Sequence, residues 1–575
     1  MFLPTTQKEM QQLGWRQADV VLVTGDSYID SPYVGVSVIG KLLMHAGYRV
    51  GIIAQPDINS DQDIKRLGEP LLFWGVTGGC IDSMVANYTP TGKKRKKDDY
   101  TPGRVNNRRP DRAVIAYTNL IRRYYKATVP IVLGGIEASL RRIAHYDYWS
   151  DQIRRSILFD AKADLLLYGM ADHTILRLAE TLKQGKDHRQ LPGLCFISHE
   201  RPDGYLELPD FQRVAIDKIA FIDMFTSFYQ NNDPISAIGL TQRQDTRFLV
   251  QNPPAPHLTE KELDAIYEMD FEHDHHPYYQ LFGAVAALDT IKFSITTHRG
   301  CYGECNFCAI GVHQGRTVIS RSRASILAEA QRMVQHADFK GYIQDVGGPT
   351  ANMYGYECKK KLRHGACTDK RCLFPTRCDQ LLINHRPQMA LLEDIRRIKG
   401  IKRAFVRSGI RYDLLLTDSS DGLDYLRQII HHHTSGQLKV APEHCVAHIL
   451  NYMGKCDISK LISFKQLFDQ LSGEMGKRQF LTYYLMAAHP GCTIGNMQRL
   501  NEFARHQLHI TPEQIQIFTP TPSTYSSLMY WTEMNPFDRE PVFVEKDKRK
   551  KEIQKKTVLA KRNTPHHVRK TKTSG

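Results

Sequence analysis

Three cysteines near the middle of the chain have a spacing that suits metal chemistry. Cys301, Cys305 and Cys308 form the pattern C-x-x-x-C-x-x-C, and a chance match is expected only roughly 0.005 times in a chain with this number of cysteines. Structural zinc sites and ordinary [4Fe–4S] sites use four protein ligands. Three thiolates on one loop can instead bind three irons of a cubane and leave the fourth iron open, as a catalytic site requires. Two alternatives remain: a zinc site completed by a distant ligand, and buried thiols without a metal.

The residues around these cysteines indicate a loop at the end of a strand. Residues 291–297 alternate apolar and polar side chains, which predicts a strand. We expect Gly303 to let the loop curl so that the sulfurs converge, and Phe307 to shield one side of a cluster. With this C-x-x-x-C-x-aromatic-C loop the chain resembles the radical S-adenosylmethionine superfamily. The resemblance implies a [4Fe–4S] cluster on the three cysteines, with the methionine moiety of S-adenosylmethionine chelating the open iron.

The same resemblance implies further site residues and a reaction. In that superfamily a glycine-rich segment after the second strand bonds the methionine amino group, and Gly347 and Gly348 stand at that place here. Ser408 and Arg411, at the exit of the third predicted strand, resemble the superfamily's contacts to ribose and carboxylate. A one-electron reductant of flavodoxin or ferredoxin type would reduce the cluster. S-adenosylmethionine would then split to give a 5′-deoxyadenosyl radical, which takes a hydrogen atom from the substrate.

Alternating strands and helices predict an α/β protein with two domains. In the first half we expect a parallel, doubly wound, Rossmann-like sheet with strands near residues 18–25, 49–54, 70–75, 129–133 and 164–168. In the second half we expect a partial (β/α)6 barrel, with its chemistry at the carboxyl ends of strands near residues 291–297, 341–346, 403–406, 437–441, 480–487 and 515–518.

One glycine-rich stretch indicates which family within the superfamily the chain resembles. Residues 347–355, Gly-Gly-Pro-Thr-Ala-Asn-Met-Tyr-Gly, followed by several cysteines, resemble the YgiQ-type radical S-adenosylmethionine proteins over nearly the whole chain. This implies a cobalamin-binding-type Rossmann-like domain at 1–250, a linker at 251–290 and the barrel at 291–545. Residues 25–30 lack the histidine of the cobalamin-ligating D-x-H-x-x-G motif, so we do not expect cobalamin. The exits at 490–493 and 519–522 resemble the methylthiotransferase branch, whose substrates are RNA or protein.

A second cysteine group follows the second predicted barrel strand, at Cys358, Cys367, Cys372 and Cys378. Neighbouring lysines and arginines are expected to favour thiolates there. The spacing is looser than that of a zinc knuckle. An auxiliary iron–sulfur cluster, a structural zinc and free thiols all remain open.

The net charge of +16 is concentrated at the carboxyl terminus. Residues 546–575 carry 12 Lys or Arg against Asp547 and Glu552, so we predict a disordered basic tail. Such a tail attracts nucleic-acid phosphate or is simply solvated. The rival function is therefore a nucleic-acid-binding protein with a structural or redox-sensing cluster. No apolar run is long enough to span a membrane and no signal peptide begins the chain, so we expect a cytoplasmic protein.

Three polar stretches are predicted to carry no chemistry. Residues 77–110, which include the basic run 93–97, are interpreted as a flexible insertion near the carboxyl edge of the sheet. Contact of this run with a nucleic acid or an acidic partner stays open. The histidine-rich residues 272–276 read as a polar loop, although their types would suit a metal. Residues 431–433, three consecutive histidines, are expected at the surface of a helix end.

Overall fold

The computed structural model describes residues 1–559, and its first half is an α/β domain. Its strands are β1 (Val20–Thr24), β2 (Ile29–Asp30), β3 (Val50–Ala54), β4 (Phe73–Thr77), β5 (Ile131–Gly134), β6 (His145–Asp147), β7 (Gln152–Arg154), β8 (Leu165–Leu167), β9 (Leu194–Ser198), β10 (Leu206–Leu208), β11 (Leu240–Gln244) and β12 (Arg247–Gln251). Its helices are α1 (Gln7–Gln12), α2 (Gly35–His45), α3 (Ser83–Asn87), α4 (Ala113–Tyr124), α5 (Gly135–Ser139), α6 (Ile157–Ala161), α7 (Asp172–Lys183), α8 (Phe211–Ile216) and α9 (Lys218–Gln230), with a 3₁₀ turn at Pro102–Arg104.

Nine of these strands form one sheet in the order β10-β11-β12-β9-β8-β5-β4-β1-β3. Strands β3, β1, β4, β5 and β8 are parallel, and Val20 of β1 lies opposite Val50 and Phe73 of its two neighbours. Every residue of β1 and β3 is buried, as expected for a parallel sheet covered on both faces. The predicted parallel, doubly wound sheet is confirmed for these five strands.

Four more strands extend the sheet beyond β8, and the prediction missed them. Strand β9 is antiparallel to β8, β12 is antiparallel to β9, and β11 and β12 form a hairpin. Gln242 and Gln244 of β11 are buried, and their side-chain oxygens accept hydrogen bonds from the backbone N–H groups of Ala144 and Ser156 at 3.1 and 3.0 Å. Because these buried positions are polar, the hydrophobic pattern of the hairpin is weak. A purely parallel sheet is therefore wrong at this edge.

The segment 251–290, predicted to be a linker, is folded against both halves. It contains α10 (Glu260–Glu268), β13 (Asp274–His275), α11 (Pro277–Gln280) and α12 (Leu288–Ile291). Strand β13 pairs with β2, and the buried His275 Nε2 lies 2.7 Å from Ser27 Oγ. The prediction of a polar loop at 272–276 is therefore wrong, because His275 and His276 are both buried in this small sheet region.

The second half contains the predicted barrel. Its strands are β14 (Ser294–Thr296), β15 (His298–Arg299), β16 (Ile319–Ser320), β17 (Tyr342–Ile343), β18 (Asp345–Gly347), β19 (Arg403–Ala404), β20 (Gln437–Glu443), β21 (Phe480–Ala487) and β22 (Gln516–Ile517). Its helices are α13 (Ile310–His313), α14 (Arg323–Gln335), α15 (Lys359–His364), α16 (Arg386–Arg397), α17 (Tyr412–Thr417), α18 (Gly422–Gln428), α19 (Ala447–Met453), α20 (Ser459–Glu474), α21 (Ile494–His506), α22 (Tyr525–Thr532) and α23 (Lys548–Val558), with a 3₁₀ turn at Ala351–Met353 and a π-helical turn at Ile429–His433.

Parallel pairs connect the first three strand positions of the barrel and, separately, the last three. Strand β14 pairs with β18, β17 pairs with β19, and β20, β21 and β22 form a parallel trio. The second predicted strand is split, because β17 and β18 face different neighbours on either side of Gln344. The partial barrel with six successive strand positions is confirmed. None of the helices in residues 1–559 has the length and apolar character needed to cross a membrane.

Residues 77–110, predicted to be a flexible insertion, are ordered beside the carboxyl edge of the parallel strands. Arg109 is buried there and forms ion pairs with Asp26 at 2.7 Å and Asp98 at 3.0 Å. Its Nη1 also donates to the backbone oxygen of Gly78 at 2.7 Å. A buried guanidinium needs this number of acceptors, so the arginine fastens the segment to the strand ends.

The histidine run at 431–433 is only partly at the surface. His433 is fully buried, and its Nδ1 lies 2.7 Å from the backbone oxygen of Ala404 in β19. The prediction of surface exposure is therefore wrong for this residue, because the π-helical turn directs it into the barrel core.

The predicted disordered tail begins with a packed helix. In α23, Lys551 is buried and its Nζ donates to the hydroxyls of Tyr530 at 2.7 Å and Tyr148 at 3.1 Å. Burial lowers the pKa of Lys551 to about 8. Gln554, also buried, accepts from the Ala488 N–H at 2.9 Å and donates to the Cys492 oxygen at 3.0 Å. The prediction of disorder is thus wrong for residues 548–558, and residues 560–575 lie outside the described part.

We expect Gln554→Ala to lower the free energy of unfolding by roughly 1–3 kcal/mol, because it leaves buried backbone groups of Ala488 and Cys492 without partners. Chemical denaturation of the full chain measures this loss. The matched control is Lys556→Ala, an exposed position on the same helix, where the change should stay within about 0.5 kcal/mol. Equal effects at both positions would show that the hydrogen bonds of Gln554 do not stabilise the packing of α23 against the barrel.

Candidate functional site

The three-cysteine loop follows the first barrel strand. Strand β15 turns away from β14 to pair with β16. The chain bends at Gly300, which has a φ of 83°, and a side chain there would collide with the backbone oxygen of Thr317. Glu304 also has a positive φ, of 44°, whereas Gly303 does not. The predicted role of Gly303 in curling the loop is therefore wrong; a Cβ on Gly303 would lie 2.9 Å from Arg411 Nη1, so the glycine makes room for that arginine.

Cys301, Cys305 and Cys308 line one cavity of about 240 Å³. Other lining residues lie at or after the ends of later barrel strands, among them Pro349, Thr350, Gly409, Arg411 and Glu443, and Tyr484 lies within β21. Phe307 lines the same cavity, and its ring centroid lies 6.3 Å from that of His489. The fold therefore places the three thiols at the carboxyl ends of the barrel strands, where a barrel of this kind carries its chemistry.

Hydrogen-bond donors surround the sulfurs. The Gly303 N–H donates to Cys301 Sγ at 3.4 Å, and Arg411 Nη1 donates to Cys305 Sγ at 3.7 Å. Asp413 orients this arginine through bonds of 3.0 and 2.6 Å to Nε and Nη2. Donors and positive charge next to sulfur stabilise thiolates and a negatively charged cluster.

Cys301 and Cys308 of the metal-free protein resist ionisation. Burial raises the pKa of Cys301, and burial together with the neighbouring Cys305 raises the pKa of Cys308 to about 12. Metal ligation requires thiolates, so cluster assembly must release protons from these groups. Assembly is therefore expected to become more favourable as the pH rises from neutral toward the pKa of Cys308.

The donor set fits a cubane better than a single ion. Within residues 1–559, no three His, Cys, Asp or Glu side chains are gathered closely enough to hold one metal ion. A single zinc needs its ligands around one centre, whereas each thiolate of an iron–sulfur cubane binds a different iron and the sulfurs stand further apart. Three partly buried thiols around one cavity, with donors at two of the sulfurs, therefore suit a [4Fe–4S] cluster.

The glycine-rich segment after β18 is closely packed. A Cβ on Gly347 would lie 2.6 Å from Ser408 Oγ, and one on Gly348 would lie 2.5 Å from His298 Cε1. Asp345 accepts from the Ser408 hydroxyl and, at 3.0 Å, from the Ser408 N–H. Neither glycine position can take a side chain without displacing its neighbour, and the backbone of both glycines lines a cavity.

The predicted site residues divide between two neighbouring cavities. Gly347, Gly348 and Ser408 line a larger one of about 460 Å³ between the two domains, whereas Arg411 and the three cysteines line the smaller one. Ile310 and Pro349 line both, so the cavities adjoin. We name the larger the interdomain cavity and the smaller the cluster cavity. The roles of these residues in binding stay predictions.

A buried ion pair holds the domains together beside the interdomain cavity. Arg299 of β15 donates from Nη1 to both carboxylate oxygens of Asp172, at 3.1 and 3.0 Å. Asp172 begins α7 of the first domain, and both side chains are buried. A buried pair fixes geometry strongly, since either charge alone is costly.

Several cavity residues were not identified from the sequence. Glu443 and Lys455 line the cluster cavity, and burial raises the pKa of Glu443. Glu443 has a φ of 67°, a strained conformation that occurs preferentially at functional sites. Cys456 also lines this cavity, with its Sγ 3.8 Å from the Tyr412 hydroxyl. The position of Glu443 at the carboxyl end of β20 was the one feature of the sequence that could have indicated a functional role. Its backbone strain cannot be recognised from the sequence.

The second cysteine group is not confirmed as a metal site. Cys358 and Cys372 pack with Tyr302 and Leu373 in a small apolar cluster, whereas Cys367 lines a separate cavity. Burial raises the pKa of Cys372 to about 12, despite the partly compensating charge of Lys361. The prediction that basic neighbours favour a thiolate is therefore wrong for Cys372, because burial outweighs the nearby charge.

A doubly wound α/β domain, a six-position open barrel and three cysteines after the first barrel strand define a radical S-adenosylmethionine protein. The family model described as Radical SAM N-terminal matches residues 2–294. The UPF0313 protein FN0734 of Fusobacterium nucleatum is 56% identical, over 98% of this chain and 99% of its own length. A UPF0313 protein of Thermotoga maritima is 46% identical, over 98% of this chain and 99% of its own length. The chain belongs to this UPF0313 family of radical S-adenosylmethionine proteins.

A solved structure is also similar along most of the chain. It is the radical S-adenosylmethionine methyltransferase TsrM from Kitasatospora setae, with tryptophan substrate and the analogue aza-SAM bound. It is 15% identical, with a TM-score of 0.47, and the match covers 88% of this chain and 74% of TsrM. The family found here agrees with the resemblance to YgiQ-type proteins.

Proposed function

We propose that this protein is an enzyme that holds a [4Fe–4S] cluster on Cys301, Cys305 and Cys308 and uses it to cleave S-adenosylmethionine reductively. One observation carries the proposal: three thiols from one loop line a single cavity at the carboxyl ends of the barrel strands, with an arginine at one sulfur and a backbone N–H at another. When bound, the reduced cluster supplies the electron that splits S-adenosylmethionine into methionine and a 5′-deoxyadenosyl radical.

The chain's own residues bind and orient S-adenosylmethionine and shield the cluster from water. Arg411, fixed by Asp413, offsets the negative charge at Cys305. Gly347 and Gly348 leave their backbone open to the methionine moiety, while Ser408 is held by Asp345 at the same strand ends. Phe307 excludes water from one side of the thiols. These are the contributions that a protein makes when a cofactor carries the difficult chemistry.

The proposed reaction requires a one-electron donor, for which we propose a flavodoxin- or ferredoxin-type protein. The basic residues of α23 and those beyond it give the chain a positive terminus, and salt-dependent attraction of nucleic acid there is a second, separate proposal. RNA or protein as the substrate rests on the resemblance to methylthiotransferases alone.

Electron paramagnetic resonance tests the binding step. Anaerobically reconstituted, reduced protein should give the signal of a [4Fe–4S] centre, and S-adenosylmethionine should change that signal because its amino and carboxylate groups reach the open iron. The control ligand is 5′-deoxyadenosine, which lacks those groups and should leave the signal as it was. An identical signal with and without S-adenosylmethionine would contradict the open position.

We expect Gly347→Val to weaken S-adenosylmethionine binding by about 1–3 kcal/mol while the iron content stays unchanged, because the new side chain must displace Ser408 at the strand exit. Equilibrium dialysis and iron analysis measure the two quantities. Gly473→Val is the matched control, since nothing lies within 4 Å of a Cβ added there. Loss of iron, or unchanged binding of S-adenosylmethionine, would contradict a specific role of Gly347 in binding this cofactor.

A further inference from the structure

The interdomain cavity is placed where an open α/β sheet binds its ligands. One wall consists of residues at the carboxyl ends of β1, β4, β5 and β8, and the other of residues after β14, β18 and β19. Its volume of about 460 Å³ is that of a small-molecule site. Two sets of strand ends thus converge on one space, beside the cluster cavity.

The side chains that line the interdomain cavity determine which class of ligand can bind there. Apolar side chains such as Leu22, Val132, Leu133 and Ile175 provide much of it. His298 lines the cavity, is fully buried, and its Nε2 has no hydrogen-bond partner among residues 1–559. Burial lowers the pKa of His298 to about 4, so the imidazole is neutral at physiological pH. A buried polar atom without a partner costs free energy unless a ligand satisfies it.

A thiol stands on the opposite wall. Cys80 follows β4, lines the cavity, and is held by a 2.6 Å bond from its N–H to Asp26. Its Sγ donates to the backbone oxygen of Tyr33 at 3.8 Å. Burial, with the Asp26 carboxylate nearby, raises the pKa of this thiol well above its ordinary value. Cys80 therefore keeps its S–H bond, in a cavity that the glycine segment of the barrel also lines.

We propose that the part of the interdomain cavity beyond the glycine segment, against the strand ends of the first domain, binds the substrate, a small and mainly apolar organic molecule with one polar group for His298. We further propose that Cys80 returns a hydrogen atom to the substrate radical. This inference rests on the proposed function. The volume and the apolar lining favour a small molecule over RNA or a protein chain.

The steps balance without further components. The 5′-deoxyadenosyl radical takes a hydrogen atom from a substrate C–H bond and becomes 5′-deoxyadenosine. The substrate carbon radical then takes the hydrogen atom of Cys80, so that the S–H bond breaks, a C–H bond forms and a thiyl radical remains. One electron from the flavodoxin- or ferredoxin-type reductant and one proton from water restore the thiol.

Probe binding tests the cavity without any turnover. The neutral naphthalene dye prodan should bind the full-length metal-free protein saturably, with a blue shift of its emission. Cys80→Trp should abolish this binding by filling the cavity, whereas Leu281→Trp, at a position that is 83% exposed, should retain it. Absence of saturable binding, or unchanged binding in a folded Cys80→Trp protein, would overturn the cavity assignment.

Isotope transfer tests the thiol. Without substrate the space between the radical and Cys80 is empty, so a thiol that can return hydrogen into this cavity can also quench the 5′-deoxyadenosyl radical itself. Reconstituted protein in D₂O should then release 5′-deoxyadenosine that carries one deuterium from the exchanged Cys80 thiol. Cys80→Ala and the better-matched Cys80→Ser should lose this deuterium, whereas Cys445→Ala, at a free cysteine that lines neither cavity, should keep it. Unlabelled product from the unsubstituted protein, or equal labelling in the Cys80 variants, would overturn the role of Cys80. No 5′-deoxyadenosine from any protein would instead contradict the proposed function.

Discussion

Replacing any one of Cys301, Cys305 and Cys308 by alanine is expected to abolish 5′-deoxyadenosine formation by the reduced protein. Each thiol binds one iron of the cubane, so removing one leaves a second iron without a protein ligand, and the geometry that presents the open iron is lost. Chromatographic assay of 5′-deoxyadenosine after anaerobic reconstitution measures the loss. With all three cysteines replaced, and the second cysteine group removed, iron and sulfide should be absent as well.

Cys456→Ala is the matched control for this prediction, because Cys456 lines the same cavity but lies outside the C-x-x-x-C-x-x-C loop. It should keep its iron and still form 5′-deoxyadenosine. Cys358→Ala and Cys372→Ala should also remain active if that group is only structural. Loss of the cluster in Cys456→Ala would show that Cys456 is a fourth ligand of the cluster. The cluster would then have no open iron to bind S-adenosylmethionine.

Arg299→Met is expected to lower the free energy of unfolding by about 3–5 kcal/mol, because it leaves the buried Asp172 carboxylate without its charge partner. Urea denaturation followed by tryptophan fluorescence measures the change. The double variant Arg299→Met with Asp172→Leu should recover much of the loss, since no buried charge then remains. Prodan binding should fall in the single variant, as the pair borders the interdomain cavity.

The control for the ion pair is Lys465→Met, which removes an i,i+4 partner of Asp469 on α20. Such surface pairs contribute about 0.3–0.5 kcal/mol. If Arg299→Met is no more destabilising than Lys465→Met, the pair does not hold the domains together, and the interdomain cavity is not a fixed feature of the protein.

Much of the fold could be predicted because its strands are short apolar runs between glycines and charges. Strand β21 has the predicted bounds, and the central strands of the first domain differ from theirs by a few residues. The antiparallel edge was missed since Gln242 and Gln244 are buried there. A pattern based on hydrophobicity does not register a strand whose inward side chains are amides satisfied by hydrogen bonds.

The errors at the carboxyl terminus have a similar cause. Helix α23 has the composition of a solvated tail, yet Lys551 is buried between two tyrosines from different parts of the chain. Long lysine stems bury apolar surface while their amines find partners. Composition predicts disorder when those partners are unknown, and Tyr148 is far from Lys551 in sequence.

The candidate site could be predicted only where chemistry is local. The cysteine loop and the glycine pair are contiguous motifs, so their spacing alone indicated an open cluster and a cofactor segment. Arg299 and Asp172 are 127 residues apart, and Cys80 faces the barrel only because the two domains pack together. Long-range pairs of this kind require the three-dimensional structure.

Release of 5′-deoxyadenosine by the reduced, reconstituted protein is the most direct test of the central claim. With S-adenosylmethionine and no added substrate, slow formation of 5′-deoxyadenosine and methionine is expected, since cleavage needs only the reduced cluster and the bound sulfonium. The unreduced protein should form none. A protein that contains a reducible [4Fe–4S] cluster but yields no 5′-deoxyadenosine would contradict the proposed function and support a structural or redox-sensing cluster.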